Sequence, residues 1–268
     1  MKRTPGKGVG VTVDNVIHEY GDIRVLDGVN MNIAAGETLC VLGGSGTGKS
    51  VLVRLMAGLE VPTSGKIQIG GMMVPEYAAL PPDEKPFLVS MVFQHSALLG
   101  SLTVEENVTL RMREHGTHSE KDMHSICEQV LDEVEMGGSN NKLPGELSGG
   151  MKKRVALARA LAVNPDLIFY DEPTAELDPV LTEQIGLLIA RVRRDRPITQ
   201  VVVTHDMVIA DLVADRVAML EGGRIAEEGS YREFLTSTDP GTRSFLEAAR
   251  VLASRDQADN KDETGKDG

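Results

Sequence analysis

The stretch Gly43-Gly44-Ser45-Gly46-Thr47-Gly48-Lys49-Ser50 has the form G-x-x-x-x-G-K-S, the pattern of a phosphate-binding loop. Glycines there let the backbone turn tightly with its N–H groups pointing inward. The start of the following helix adds unpaired N–H groups and the positive end of its dipole. Lys49 would reach β- and γ-phosphates, and the Ser50 hydroxyl would ligate Mg²⁺. A second chemical pair is Asp171-Glu172, which ends the apolar run Leu167-Ile168-Phe169-Tyr170. Buried apolar strands seldom end in two carboxylates without a cation or a reaction to serve.

These groups need elements to hold them. Thr38–Leu42 reads as the strand feeding the phosphate loop, and a helix is expected from about Gly48 through Met56. Upstream, strands are predicted over Val11–Tyr20 and Val29–Ile33, separated by an Asp27-Gly28 turn, with residues 1–9 frayed. A strand over Lys66–Ile69 follows a Pro/Gly stop at 58–65. Residues 72–86, with Pro75, Pro81, Pro82 and Pro86, read as a surface excursion, and Val89–Phe93 as a short strand. From Leu102 to Leu161 the pattern is helical with charged faces, notably Ser119–Met136 and Lys152–Ala162, as for a helical unit inserted into an α/β core. Strands return at Leu167–Tyr170 and Thr199–Thr204 around a helix at Val180–Arg194. A hairpin-like pair at Val217–Leu220 and Arg224–Glu227 follows, then helices near Ser230–Thr236 and Arg243–Ala253. The polar segment from Arg255 is expected to be disordered. No internal repeat is present, and one phosphate loop implies one nucleotide-binding domain.

The composition fits such a domain: 268 residues, 41% hydrophobic and 25% charged. A formal net charge of −12 argues against a nucleic-acid partner and against retention on an anionic leaflet by charge alone. No apolar run approaches a transmembrane length of roughly 18 residues, and Met1-Lys2-Arg3 leads into no signal-peptide core. Cys40 and Cys127 are the two cysteines. A free thiol on the strand feeding the loop suits a reducing cytosol. No zinc-type Cys/His spacing and no Ser/His/Asp pattern is legible.

Leu147-Ser148-Gly149-Gly150-Met151 precedes the predicted 152–162 helix. At this point the chain resembles the ATPase subunits of ABC transporters, whose signature is L-S-G-G-x, and the resemblance runs from residue 11 to about 235. It implies an α/β P-loop NTPase core with a mixed sheet, an N-terminal antiparallel β-subdomain and an inserted α-helical subdomain. The expected layout is one ABC ATPase domain over 1–254, with a core at about 10–97 and 162–230, helical subdomain at 98–161 and closing helices at 230–254. A tail at 255–268 follows. Leu167 to Glu172 then resembles Walker B, with Asp171 holding Mg²⁺ through water and Glu172 orienting and deprotonating the attacking water. Gln94 corresponds to the Q-loop glutamine, which contacts Mg²⁺ and the water. His205 corresponds to the switch histidine at the γ-phosphate. Asp178 belongs to the D-loop, where Ala175-Glu176 replaces the common Ser-Ala. Met151 stands where many members have Gln. Tyr20 has the spacing of the aromatic that stacks on adenine, and packing of the sheet edge is the other reading of that residue. The resemblance also implies that Ser148, Gly149 and Gly150 of one copy cap ATP held on Gly43–Ser50 of a second, in a head-to-tail dimer.

The run Ala97-Leu98-Leu99-Gly100-Ser101-Leu102-Thr103-Val104-Glu105-Glu106-Asn107-Val108 is similar to that of Mla-type, MCE-associated lipid transporter ATPases. This implies phospholipid movement, an integral membrane permease, an MCE-domain lipid carrier and a STAS-like regulator. The chain would then sit on the cytoplasmic face of the inner membrane. The alternatives are an importer ATPase for polar solutes such as betaine or amino acids, and a non-transporting module of the cell-division type. A soluble DNA-repair or translation ATPase is disfavoured by the lack of a long coiled coil or second phosphate loop.

Overall fold

The computed structural model describes residues 8–116 and 118–249; the predicted tail at 255–268 and the end of the helix predicted to Ala253 lie outside these residues. The chain begins with β1 (Val11–Tyr20), β2 (Ile23–Ile33) and β3 (Thr38–Leu42), then α1 (Lys49–Met56), β4 (Ser64–Ile69), β5 (Met72–Met73) and α2 (Val74–Ala79). Next come β6 (Val89–Val92), α3 (Val104–His115), α4 (Glu120–Glu133) and α5 (Gly149–Ala162). It continues through β7 (Leu167–Asp171), α6 (Pro179–Asp195), β8 (Thr199–Thr204) and α7 (Met207–Val213), and then β9 (Arg216–Glu221), β10 (Arg224–Gly229) and α8 (Tyr231–Leu235). Residues 240–249 are helical.

Among the described residues the strands form two sheets. β2-β1-β4-β5 is antiparallel, and β10-β9-β3-β8-β7-β6 is mixed, with parallel pairing everywhere except β9–β10. The order places β3, β8 and β7 side by side. Their carboxyl ends carry the phosphate loop, His205 and Asp171-Glu172, in agreement with the rule that parallel sheets bind ligands at their strand ends.

The period-two alternation of strands divides the core in two. Leu39, Val41, Phe169, Val201 and Val203 face α1 and the antiparallel sheet, where Leu52, Leu55 and Ile69 pack. Cys40, Leu42, Ile168, Tyr170 and Val202 face the other way, into a cluster shared with Met112, Cys127, Leu131 and Leu157 of the helical unit. Both thiols are buried and free. Burial pushes both thiols up, Cys127 to about 12, so neither is a nucleophile in the folded chain.

Three expectations are corrected. The reversal between the first strands is at Gly21-Asp22, and β2 runs unbroken through Asp27-Gly28. Gly28 there takes φ 76 opposite the bulge at Asn15, so it kinks a strand and does not end one. The proline-rich 72–86 segment is more than an excursion. Pro75 sits in the first turn of α2, where its missing N–H costs nothing, and Tyr77 stacks on Phe87 at 4.6 Å in a buried pair. Val9 is not frayed: it is buried and its N–H donates to Thr199 Oγ1 at 2.9 Å. In addition α7, capped by the Asp206 carboxylate at 2.8 Å from Val208 N, was not legible beforehand.

The helical unit is entered through a loop tied by one side chain. Asn107 is fully buried. Its Oδ1 accepts from Leu99 N at 2.8 Å, and its Nδ2 donates to the carbonyls of Leu99, Leu102 and Thr103 at 3.1, 3.0 and 2.9 Å. Thr103 and Glu106 close a reciprocal cap on the same turn. Replacing Asn107 by Ala strips buried partners from four backbone groups. It is expected to lower stability by about 2–3 kcal/mol in urea titration with an unchanged m-value.

Candidate functional site

The strand β3, buried along its length, delivers Gly43 to the neighbouring strand β9. A methyl group on Gly43 would meet Leu220 O at 2.5 Å, so only glycine lets the loop start there. Gly48 takes φ 101 as the first turn of α1 begins, and a methyl group on it would lie 2.9 Å from the Leu26 side chain. Thr47 Oγ1 donates to Gly44 O at 3.0 Å and pins the loop on itself.

Lys49 is 6% exposed and donates Nζ to Gly43 O and Gly44 O, each at 2.9 Å. The same ammonium lies 3.3 Å from Glu172 Oε1. Glu172 Oε2 meets His205 Nδ1 at 2.9 Å, while the Glu172 N–H donates to Val203 O at 2.9 Å. Glu172 holds φ 45, a left-handed conformation that non-glycine residues rarely adopt, where β7 leaves the sheet. Next to it, the Ser50 hydroxyl donates to Asp171 Oδ1 at 2.6 Å.

The two adjacent carboxyls are pushed apart. Burial raises Asp171, and the Ser50 hydroxyl only partly offsets it. Burial would raise Glu172 as well, but the His205 hydrogen bond and charge, with Lys49, bring it below the usual range. His205 is in turn raised, first by its bond to Glu172, against its own desolvation. Glu172 is therefore ionised at neutral pH and shares a proton site with His205.

Lys49, Ser50, Gly44, Ser45, Gly46, Gly48, Gln94, Glu172 and His205 line one cleft of about 650 Å³. A cleft of about 670 Å³ near Leu88, Arg111 and Arg196 holds none of these groups. The structure does not bring Tyr20 to the first cleft. Its hydroxyl bonds Glu60, its ring meets His18 edge-on at 4.7 Å, and it stands exposed. Ser148, Gly149 and Gly150 also stand away from the lining. Ser148 caps α5, accepting from Met151 N at 3.3 Å, and Gly149 and Gly150 pack beside Leu177 and Leu181. Asp178 caps α6, accepting from Leu181 N at 2.9 Å. Sequence reading missed Phe245, Ala248 and Ala249 of the 240–249 helix, which wall the cleft opposite the loop residues. It also missed Lys153, whose Nζ donates to the Gln94 carbonyl. The lysine pair Lys152-Lys153, one residue after the glycine pair, was the available signal for the latter.

The oxygen set at this end of the cleft is a hydroxyl, a carboxylate and an amide (Ser50, Asp171, Gln94), which suits a hard Mg²⁺ that keeps several waters and arrives with phosphates. Among the described residues no group of three or more His, Cys, Asp or Glu could hold a metal unaided. The inward loop, the lysine and the helix start suit the polyphosphate itself.

Comparison with known proteins agrees with this chemistry. The model of the ABC transporter family matches residues 26–175. The chain is 38% identical over 244 residues to the probable ribonucleotide transport ATP-binding protein mkl of Mycobacterium leprae, covering 91% of this chain and 70% of that protein. It is 37% identical over 244 residues to the methionine import ATP-binding protein MetN of Rhodopseudomonas palustris, covering 88% of this chain and 66% of that one. Among solved structures, the dimeric ATP-binding cassette MJ0796 in a post-hydrolysis state bound to ADP and Pi superposes with TM-score 0.73 at 33% identity. That match covers 83% of this chain and 99% of the cassette.

Gly48→Ala puts a methyl group against Leu26 and strains a φ of 101. The expected outcome is a folded protein whose equilibrium binding of a labelled nucleoside triphosphate is weakened at least about 100-fold, the loop being unable to keep its inward N–H array.

Proposed function

Because this chain belongs to the ABC transporter family, whose cassettes bind and hydrolyse ATP with Mg²⁺, dimerise and pair with membrane permease components, we propose a division of labour within its cleft. Gly43 to Gly48 cradle the phosphates with backbone N–H groups. Lys49 exchanges its contacts with Gly43 O and Gly44 O for the β- and γ-phosphates, so its charge is already in place when the nucleotide enters. Ser50, Gln94 and, through water, Asp171 hold Mg²⁺, which when bound neutralises charge on the phosphate oxygens.

Glu172 is the general base. It orients the attacking water and takes its proton as the water oxygen bonds the γ-phosphorus and the bond to ADP breaks. His205 holds the Glu172 carboxylate at 2.9 Å and offers its other ring edge to the γ-phosphate. The observation that carries this reading is the Lys49–Glu172–His205 chain, 3.3 and 2.9 Å, in the cleft beside Ser50 and Asp171. Ser148, Gly149 and Gly150 act on the cleft of a second copy, and Asp178 shapes the turn beside them. This division is supported by their absence from the lining of their own cleft. Tyr20 stacks on adenine only after giving up its Glu60 bond.

For the cargo, the reading is phospholipid movement driven through a separate permease, with an MCE-domain carrier and a STAS-like regulator as partners and the chain peripheral at the cytoplasmic face of the membrane. It is supported by the Ala97–Val108 run. Among the described residues no helix is long and apolar enough to cross a membrane, so translocation belongs to other subunits. A second reading, import of a small polar solute, is favoured by the identity to the methionine import protein.

Glu172→Gln in the chain assembled with its membrane subunits is expected to bind ATP normally and to lose turnover by about 10²–10⁴-fold, or about 3–5 kcal/mol. Light scattering should then show an ATP-dependent dimer, and a normal hydrolysis rate would remove Glu172 from its assigned role. For the cargo, mass spectrometry of the complex purified from membranes is expected to find a permease, an MCE-domain protein and bound phospholipid. Recovery of a solute-binding protein without lipid would replace that reading by the import one.

A further inference from the structure

The loop after β6 carries Gln94 into the cleft and then adopts a backbone that side chains resist. Ser96 and Ala97 take φ 61 and 47 in succession, and such geometry persists only where the surroundings dictate it. Much of what dictates it comes from α5. Arg159 donates through Nη1 to Ala97 O at 2.6 Å and through Nη2 to Ser96 O at 2.7 Å. Six residues earlier, Lys153, 7% exposed, donates Nζ to the carbonyl of Gln94 itself. Asn107 fastens Leu99 from the other side.

A buried ammonium is a costly way to satisfy one carbonyl, since an uncharged amide would do the same without desolvating a charge. Its neighbours give the reason. The ammonium lies in the field of Glu176, Glu172 and Asp171. The cation thus feels the catalytic carboxylates and Glu176, the unusual residue of the turn before α6. Glu176 also lies 3.8 Å from His95 in the same loop. Lys153 follows Ser148 by five residues on one rigid helix, roughly 7–8 Å along its axis. The helix that presents Ser148–Gly150 therefore also grips the glutamine of its own cleft.

We propose that Lys153 and Arg159 are positioning residues that clamp the helix bearing the Ser148–Gly150 cap to the Gln94 loop, so that nucleotide in one cleft sets the cap closing the cleft of the second copy. This rests on the roles proposed above for Gln94 and the cap. Gln94 moves toward the magnesium end of a filled cleft. Lys153 and Arg159 pass that shift to α5 as a body, and the cap moves with it. The two sites are then linked through α5 rather than through nucleotide contacts alone.

The test uses the full chain purified with its membrane subunits and compares wild type, Lys153→Met, Lys153→Arg, Gln94→Ala and the Lys153→Met/Gln94→Ala double variant. Lys153→Met is expected to lower kcat for ATP about 10-fold while leaving KM within about twofold. The Hill coefficient for ATP should drop toward 1, with the thermal midpoint held. Lys153→Arg should restore both rate and cooperativity, and in the Gln94→Ala background Lys153→Met should add no further loss. If Lys153→Met does not fold, Lys153→Ala, which also removes the donor, is read in the same way. Wild-type rate and cooperativity in Lys153→Met beside a slowed Gln94→Ala would overturn this inference alone. Additive losses in the double variant would do so too. A wild-type rate in Gln94→Ala would overturn both this inference and the role proposed for Gln94.

Discussion

A buried ammonium and a buried carboxylate from two strand ends meet at 3.3 Å, and the architecture follows from keeping them together. Burial works against the Glu172 carboxylate, and the His205 and Lys49 groups beside it hold its pKa below the usual range. Lys49 follows β3, Glu172 follows β7, and β8 lies between them with His205 at its end. The parallel order of the sheet therefore determines which charges can be neighbours. Glu172 stays ionised because two cationic or proton-sharing groups converge on it. Asp171, one residue earlier, faces a neutral hydroxyl and is pushed the other way. Two adjacent carboxyls whose pKa values are pushed in opposite directions are suited to separate tasks, one as a metal-side oxygen donor and the other as a base.

Local spacing made much of this legible in advance. The phosphate loop is eight consecutive residues between a strand and a helix, so its glycines, Lys49 and Ser50 could be placed from chain geometry alone. The strand ends at Asp171 and Thr204 were equally plain, because fully buried parallel strands are continuous apolar runs. What was illegible depended on conformation at single residues or on contacts far apart in sequence. Gly28 has the composition of a turn but kinks a continuous strand, because the bulge at Asn15 absorbs the extra residue. Pro75 starts a helix because it falls in a first turn. The wall formed by Phe245 and Ala248 lies some two hundred residues from the loop it faces, and no local pattern announces it.

The loop from Gln94 to Leu99 shows how long-range contacts change the meaning of a local motif. By sequence, the run from Ala97 to Val108 is a subfamily resemblance. In the fold it is an Asn107-centred knot, with Thr103 and Glu106 capping α3 and Arg159 gripping the strained turn before it. Part of such a resemblance therefore reflects the requirements of entering a helical insert and carries no information on cargo. This is the physical reason why the ATPase chemistry can be read closely from this chain while the cargo is read through its partners.

The placement of Ser148 to Gly150 gives the cleft its remaining logic. The α5 start ends on Leu177 and Leu181 of the same chain and leaves the mouth of the cleft open. A cap that folded over its own phosphate loop would bind nucleotide without any change in assembly. A cap supplied by a second copy makes closure conditional on ATP in a two-fold arrangement, where each copy gives and receives the same contact. The dimeric form of the related cassettes agrees with that symmetry. On the proposed reading, hydrolysis followed by phosphate release would remove charge and contacts from that interface, which is how a small chemical step moves large bodies. If Ser148 to Gly150 cap a second copy as proposed, separation of cap from cleft within one chain is the geometric condition for turning phosphate chemistry into motion of a bound membrane partner.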